Sequence, residues 1–144
     1  MYKRILVPTD GSDITGKAID TAVMLAKTVG AEISALAVKE PFPYSAISEM
    51  QPVPPQEFFD AQERIANQNL QRVKDVAAAA GVSCAAASVE ALHPWEAILD
   101  QAKADGSDLI VMASHGRRGV SALLLGSETQ KVLTHSSIPV LVVR

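Results

Sequence analysis

Leu109-Ile110-Val111-Met112-Ala113-Ser114-His115-Gly116 is an apolar run that ends in small and polar residues, and Gly126-Ser127 follows nine residues later. A short continuous apolar run of this kind reads as a buried strand. The residues after Gly126 read as a helix running to about His135. Ala113, Gly116, Gly126 and Ser127 thus surround a strand-to-helix junction. Small residues there let backbone N–H groups approach an anion closely, and the helix N-terminus adds a partial positive charge. The junction reads as a phosphate cradle.

The rest of the chain alternates in the same way. Ile5-Leu6-Val7 is a strand ending at Pro8. Ser12 or Asp13 caps the next helix, whose inward stripe is read as Ile14, Ala18, Ala22, Leu25 and Val29, with Gly30 as its stop. Ile33 to Val38 is a second strand. The prolines from Pro41 to Pro55 read as a long loop. A helix from about Glu57 to Ala80 carries Ala66, Leu70, Val73, Ala77 and Ala80 on one face. Val82 to Val89 is a third strand. Pro94 opens a helix that Gly106 ends. Leu109 to Ala113 is the fourth strand, and Val140 to Val143 the fifth.

Strands alternating with helices, most of them uniformly apolar, predict an α/β fold. Its core is a doubly wound, five-stranded parallel sheet with helices on both faces. Right-handed crossovers put every strand-to-helix loop on one edge of that sheet. The first and fourth strands are read as the central pair, where strand order reverses and ligands bind. Asp10 and the loop from Ala113 to Ser127 then face each other across the crevice.

A length of 144 residues predicts one domain, 1–144. A net charge of −3 gives no reason to expect nucleic acid or an acidic membrane surface as partner. Aromatic residues at 4% are too few for a base-stacking platform. The single Cys84 makes no internal disulfide and reads as a buried thiol, which fits a reducing cytoplasm. No apolar stretch approaches the ~20 residues of a membrane span. The expected location is cytoplasmic.

The pattern Gly116, nine residues, Gly126-Ser127 resembles the nucleotide-binding signature of the universal stress protein family, Gly-x2-Gly-x9-Gly-Ser/Thr, with Ala113 in place of its first glycine. MYKRILVPTD at the N-terminus resembles the family's opening strand with its acidic tip, and residues 136–143 resemble its closing strand. The resemblance implies a Rossmann-like domain of the adenine nucleotide alpha-hydrolase-like type. One branch of the family binds ATP, with or without Mg, while another lacks the glycines and binds no nucleotide. It also implies a homodimer and a role in survival under stress.

Carried onto this chain, the resemblance and the residues together give the expected nucleotide contacts. Pro8, Thr9 and Asp10 stand at the tip of the first strand, where the Asp10 carboxylate can accept hydrogen bonds from ribose hydroxyls. Val38 matches the family position whose backbone reads the adenine edge, and it suits the core equally. Met112, Ala113, His115 and Gly116 end the fourth strand. Gly126 and Ser127 cradle phosphate, and Glu128 and Thr129 offer main-chain or hydroxyl contacts. Glu128 suits the helix dipole but would repel a triphosphate if it pointed inward. Arg117 and Arg118 either clamp phosphates or form a solvated loop pair. His115 is either a proton shuttle or a residue held by local hydrogen bonds.

One rival motif needs rejecting. Gly11-Ser12-Asp13-Ile14-Thr15-Gly16-Lys17-Ala18 stands one residue short of a P-loop, but Ala18 has no hydroxyl for Mg²⁺. Its helix should begin before Gly16, leaving no loop to wrap a phosphate. His93, His115, His135 and Cys84 show no metal-ligand spacing. Residues 119–123 lack the second glycine of a nucleophile elbow. No dedicated catalyst assembles. Three functions stay open: an ATP-binding regulatory protein, a slow Mg-dependent ATP hydrolase, and a nucleotide-free dimeric adaptor. For the dimer, the uniformly apolar strand Val140–Val143 offers an edge for pairing with its copy. The alternative is a monomer whose Pro41–Pro55 loop covers that edge.

Overall fold

A computed structural model describes residues 1–43, 55–116 and 124–144. In chain order the elements are β1 (Arg4–Pro8), α1 (Asp13–Val29), β2 (Glu32–Lys39), α2 (Gln56–Ala79), β3 (Cys84–Glu90), α3 (Pro94–Asp105), β4 (Leu109–Ala113), α4 (Ser127–His135) and β5 (Val140–Val143). The five strands form one sheet in the order β3-β2-β1-β4-β5, and each adjacent pair is parallel. From β1 the chain winds outward through β2 to β3, then crosses back to β4 and β5. Strand order therefore reverses between β1 and β4, as the sequence predicts.

The strand period of two sorts side chains onto two cores. Ile5 and Val7 point to one face, beneath Ile19, Ala22 and Ala26 of α1 and Leu70, Val73 and Ala77 of α2. Leu6 points to the other, with Ile110, Ile98 of α3 and Val132 of α4. Ile5, Leu6 and Val7 are wholly excluded from solvent, which marks β1 as the middle strand.

Helix boundaries follow their caps. The Ser12 hydroxyl accepts the Thr15 N–H at the start of α1, and Gly30 ends it in the left-handed conformation at φ +76°. The buried face of α1 differs from the expected stripe. Thr15, Gly16, Ala18, Ile19, Ala22, Val23 and Ala26 lie inside, while Ile14, Leu25 and Val29 are only partly covered. Small residues let the helix lie close against the sheet, so the larger apolar side chains sit on its shoulders. Cys84 also departs from expectation. It lies on the edge strand β3 and is only half-buried. Burial nonetheless pushes its thiol pKa up, against the opposing charge of Lys74.

The N-terminal end of the sheet is tied by polar groups. Asp108 accepts the N–H groups of Lys3, at 2.9 Å, and Arg4. The Arg4 guanidinium donates to Glu32 and to the Asp105 carbonyl. The Asp105 carboxylate accepts from Ser34 Oγ at 2.5 Å and Ser107 Oγ at 2.6 Å. These contacts join β1, β2 and β4 at the end opposite the crevice.

Candidate functional site

Parallel strands with right-handed crossovers leave one crevice between β1 and β4 at their C-terminal ends. At the tip of β1, Pro8 is half-buried and pairs in register with Leu36. Thr9 is buried, and its N–H donates to the Leu36 carbonyl at 2.9 Å. Asp10 follows at the rim. Its Oδ1 accepts the Ser12 N–H at 2.9 Å and the Thr15 hydroxyl at 2.7 Å. Gly11 turns at φ +79°, and a Cβ there would run into the Asn69 side chain of α2. The dihedral is what requires glycine at this turn.

Across the crevice, Met112 and Ala113 end β4 as buried residues. Among the described residues no non-glycine has positive φ, so Ala113 carries no backbone strain in place of a glycine. Ser114 is anchored by its N–H to the Val143 carbonyl at 2.8 Å. His115 is half-exposed, with Nδ1 3.3 Å from Ser114 Oγ.

Neither Gly116 nor Gly126 has positive φ, so what glycine provides at these two positions is room beside its neighbours. A Cβ on Gly116 would stand 2.6 Å from Asp10 Oδ2. That single distance shows the tips of β1 and β4 facing each other. A Cβ on Gly126 would meet His115 Cα at 3.1 Å and the Ser114 carbonyl at 3.3 Å. The Gly126 N–H already bonds that carbonyl at 2.7 Å.

Gly126 caps α4 and has no side chain to offer the first-turn amides. The N–H groups of Ser127, Glu128 and Thr129 thus receive no side-chain acceptor from the cap, and they lie at the positive end of the helix. The Thr129 hydroxyl donates to the Ala113 carbonyl at 2.9 Å and is thereby committed to the end of β4. Glu128 does not point inward. Its Oε2 accepts the Trp95 N–H of α3 at 2.8 Å.

Val38 is half-buried, pairs with Val89 and packs against the Leu6 side of the core. Arg117 and Arg118 lie outside the described residues, as does most of the Pro41–Pro55 segment. The P-loop alternative loses its geometry. Helix α1 begins at Asp13, and Gly16 is buried inside it beneath the Arg72 side chain. Thr15 went unnoticed in the sequence as a site residue. The spacing Asp-x-Ser-x-x-Thr was its available signal, since Ser and Thr in a first helical turn can reach back to a preceding carboxylate.

Among the described residues no group of three or more His, Cys, Asp or Glu side chains could hold a metal ion. No helix among them is long and apolar enough to cross a membrane.

Fold and crevice together define a doubly wound α/β protein with a glycine-lined, amide-rich junction at its topological switch point. The model of the universal stress protein family matches residues 1–144, and the chain belongs to that family. It is 35% identical over 149 residues to universal stress protein YxiE of Bacillus subtilis, covering 100% of both chains. The solved structure of MJ0577 superposes with a TM-score of 0.83 at 29% identity, covering 99% of this chain and 96% of that one. MJ0577 is a universal stress protein of Methanocaldococcus jannaschii. A universal stress protein solved in complex with cAMP superposes with a TM-score of 0.74 at 27% identity, covering 99% and 97% of the two chains.

Proposed function

We propose that this protein is an ATP-binding regulatory member of the universal stress protein family. The observation that carries this reading is the Gly116–Asp10 approach, in which a Cβ would stand 2.6 Å from the carboxylate. A carboxylate this close to the Gly116 backbone, beside the amides that open α4, suits a phosphate chain running from a sugar at Asp10 to a helix N-terminus. The complex of a related protein with cAMP supports an adenine nucleotide as the class of ligand.

In this reading Val38 lines the base pocket, with Pro8, Thr9 and Met112 forming its floor. Asp10 accepts from the ribose. Ala113, His115, Gly116, Gly126, Ser127, Glu128 and Thr129 surround the phosphates, with Arg117 as a further candidate. Any Mg²⁺ arrives with the phosphates and neutralises their charge. Among the described residues Glu128 is turned away to the Trp95 N–H and Asp10 is assigned to the ribose, so in this reading the bound state itself is the signal, and turnover is at most slow. The whole chain acts as one unit in the cytoplasm, paired with a second copy through β5.

The test begins with the purified protein. Acid release followed by ion-pair chromatography should recover adenine nucleotide, and titrations with Mg²⁺ should show ATP binding in preference to GTP. Absence of ATP binding at millimolar concentration would overturn the reading and favour a nucleotide-free adaptor.

A further inference from the structure

The Thr15 hydroxyl lies 2.7 Å from Asp10 Oδ1 and 2.7 Å from Ser12 Oγ. A carboxylate only accepts, so Thr15 must donate its one proton to Asp10. Ser12 is then the donor in the contact between the two hydroxyls. Ser12 Oγ also accepts the Thr15 N–H at 3.4 Å, and the Ser12 N–H reaches Asp10 Oδ1 at 2.9 Å. The result is a closed set of bonds with a single direction, running from the cap of α1 into one oxygen of the carboxylate.

Thr15 is 3% exposed and anchored in a helix packed on the sheet, so its hydroxyl has little freedom to move. The bonds from Ser12 and Thr15 converge on Oδ1, and Oδ2 is the oxygen that faces Gly116 across the crevice. Rotation of the carboxyl group would break two of these bonds at once.

We propose that Thr15 is a positioning residue that holds the Asp10 carboxylate in the orientation needed to accept the sugar hydroxyls of a bound ribonucleotide. The inference rests on the nucleotide-binding reading above and adds the origin of its preference for ribose. Thr15 touches no ligand in this role. It acts through Asp10.

The test compares ATP with 2′,3′-dideoxy-ATP by calorimetric titration of the full chain with Mg²⁺. Wild type should prefer ATP, and Asp10→Asn should erase that preference. Thr15→Val keeps the shape and removes the hydroxyl. It should weaken ATP by about tenfold, the scale of one hydrogen bond to a charged group, while leaving dideoxy-ATP unchanged. Thr15→Ser restores the hydroxyl and should restore the preference.

A Thr15→Val protein that keeps the full preference while Asp10→Asn loses it overturns the positioning role. So does a Thr15→Ser protein that behaves like Thr15→Val, because the methyl and not the hydroxyl would then matter. If Thr15→Val loses its helical circular dichroism, Thr15→Ala against Thr15→Ser makes the same comparison. A wild type without preference, or one whose preference survives Asp10→Asn, refutes the ribose contact itself and the inference with it.

Discussion

The carboxylate of Glu128 and the backbone N–H of Trp95 meet at 2.8 Å, so the first turn of α4 caps the first turn of α3. His93, the residue at the N-cap of α3, makes no side-chain cap bond of its own. The acceptor comes from 33 residues away. A negative charge that could have opposed phosphate is thereby directed to another helix's positive end.

Glu128→Ala should lower stability by about 1 kcal/mol, the usual effect of losing a cap acceptor, while leaving ATP affinity nearly unchanged. Urea titration measures the first and calorimetry the second. A variant that binds ATP much more tightly would show that the carboxylate faces the phosphates after all.

Gly126→Asp should block the approach of the cradle to its ligand. A Cβ there already comes 3.1 Å from His115 Cα, and the added charge opposes phosphate. The expected loss of ATP affinity is at least about tenfold, or ~1.4 kcal/mol, with circular dichroism retained. Lys17→Ala, on the exposed face of α1, should be silent. The reverse pattern would return the Gly11–Lys17 segment to contention as the phosphate site.

Asp105 should govern acid stability. Burial pushes its pKa up, but hydrogen bonds from the Ser107 side chain, Ser34, the Ser107 amide and Gln101 outweigh this, and the net shift is downward. A carboxylate lowered on folding stabilises the native state above its unfolded pKa, near 3.8. That contribution disappears as pH falls through the lower folded value. Between pH 7 and pH 3 the urea midpoint of the wild type should therefore fall more than that of Asp105→Asn. Equal falls would mean that other carboxylates control the transition.

The outer edge of β5, the last strand of the sheet, should pair two copies of the chain. Ile110 N–H donates to the Pro139 carbonyl and Ser114 N–H to the Val143 carbonyl. Strand alternation then turns the backbone groups of Val140 and Val142 outward. Leu141, 39% exposed, adds apolar surface. Light scattering should give twice the chain mass. Val142→Pro removes an outward donor without breaking a bond to β4, and it should yield monomer. A dimer that survives this change uses another surface.

Most of the architecture was legible in the sequence because its signals were local. Apolar runs such as Leu109–Ala113 and stops such as Gly30 and Gly106 place strands and helix ends without reference to neighbours. The Asp10–Gly116 approach followed from topology alone, once β1 and β4 were adjacent. Three features were not legible, each because its cause lies in a distant partner. The inward face of α1 is chosen by the sheet beneath it, which admits Gly16 and Ala26 more closely than Leu25 or Val29. Cys84 is half-exposed because β3 lies at the sheet edge. Glu128 turns outward because Trp95 offers an unfilled N–H, and nothing near Glu128 in the chain announces that.

The indole of Trp95 stacks on the imidazole of His135 with ring centroids 4.6 Å apart and planes 29° from parallel. His135 is the last residue of α4, while Glu128 in its first turn holds the Trp95 backbone. One residue of α3 therefore grips α4 at both ends. It is also the only tryptophan in the chain. The tryptophan fluorescence of the protein is thus emitted from a single joint, and any shift of the helix that opens at the cradle changes the surroundings of that one emitter. The protein carries its own optical reporter, with no label needed to follow events at the far end of α4.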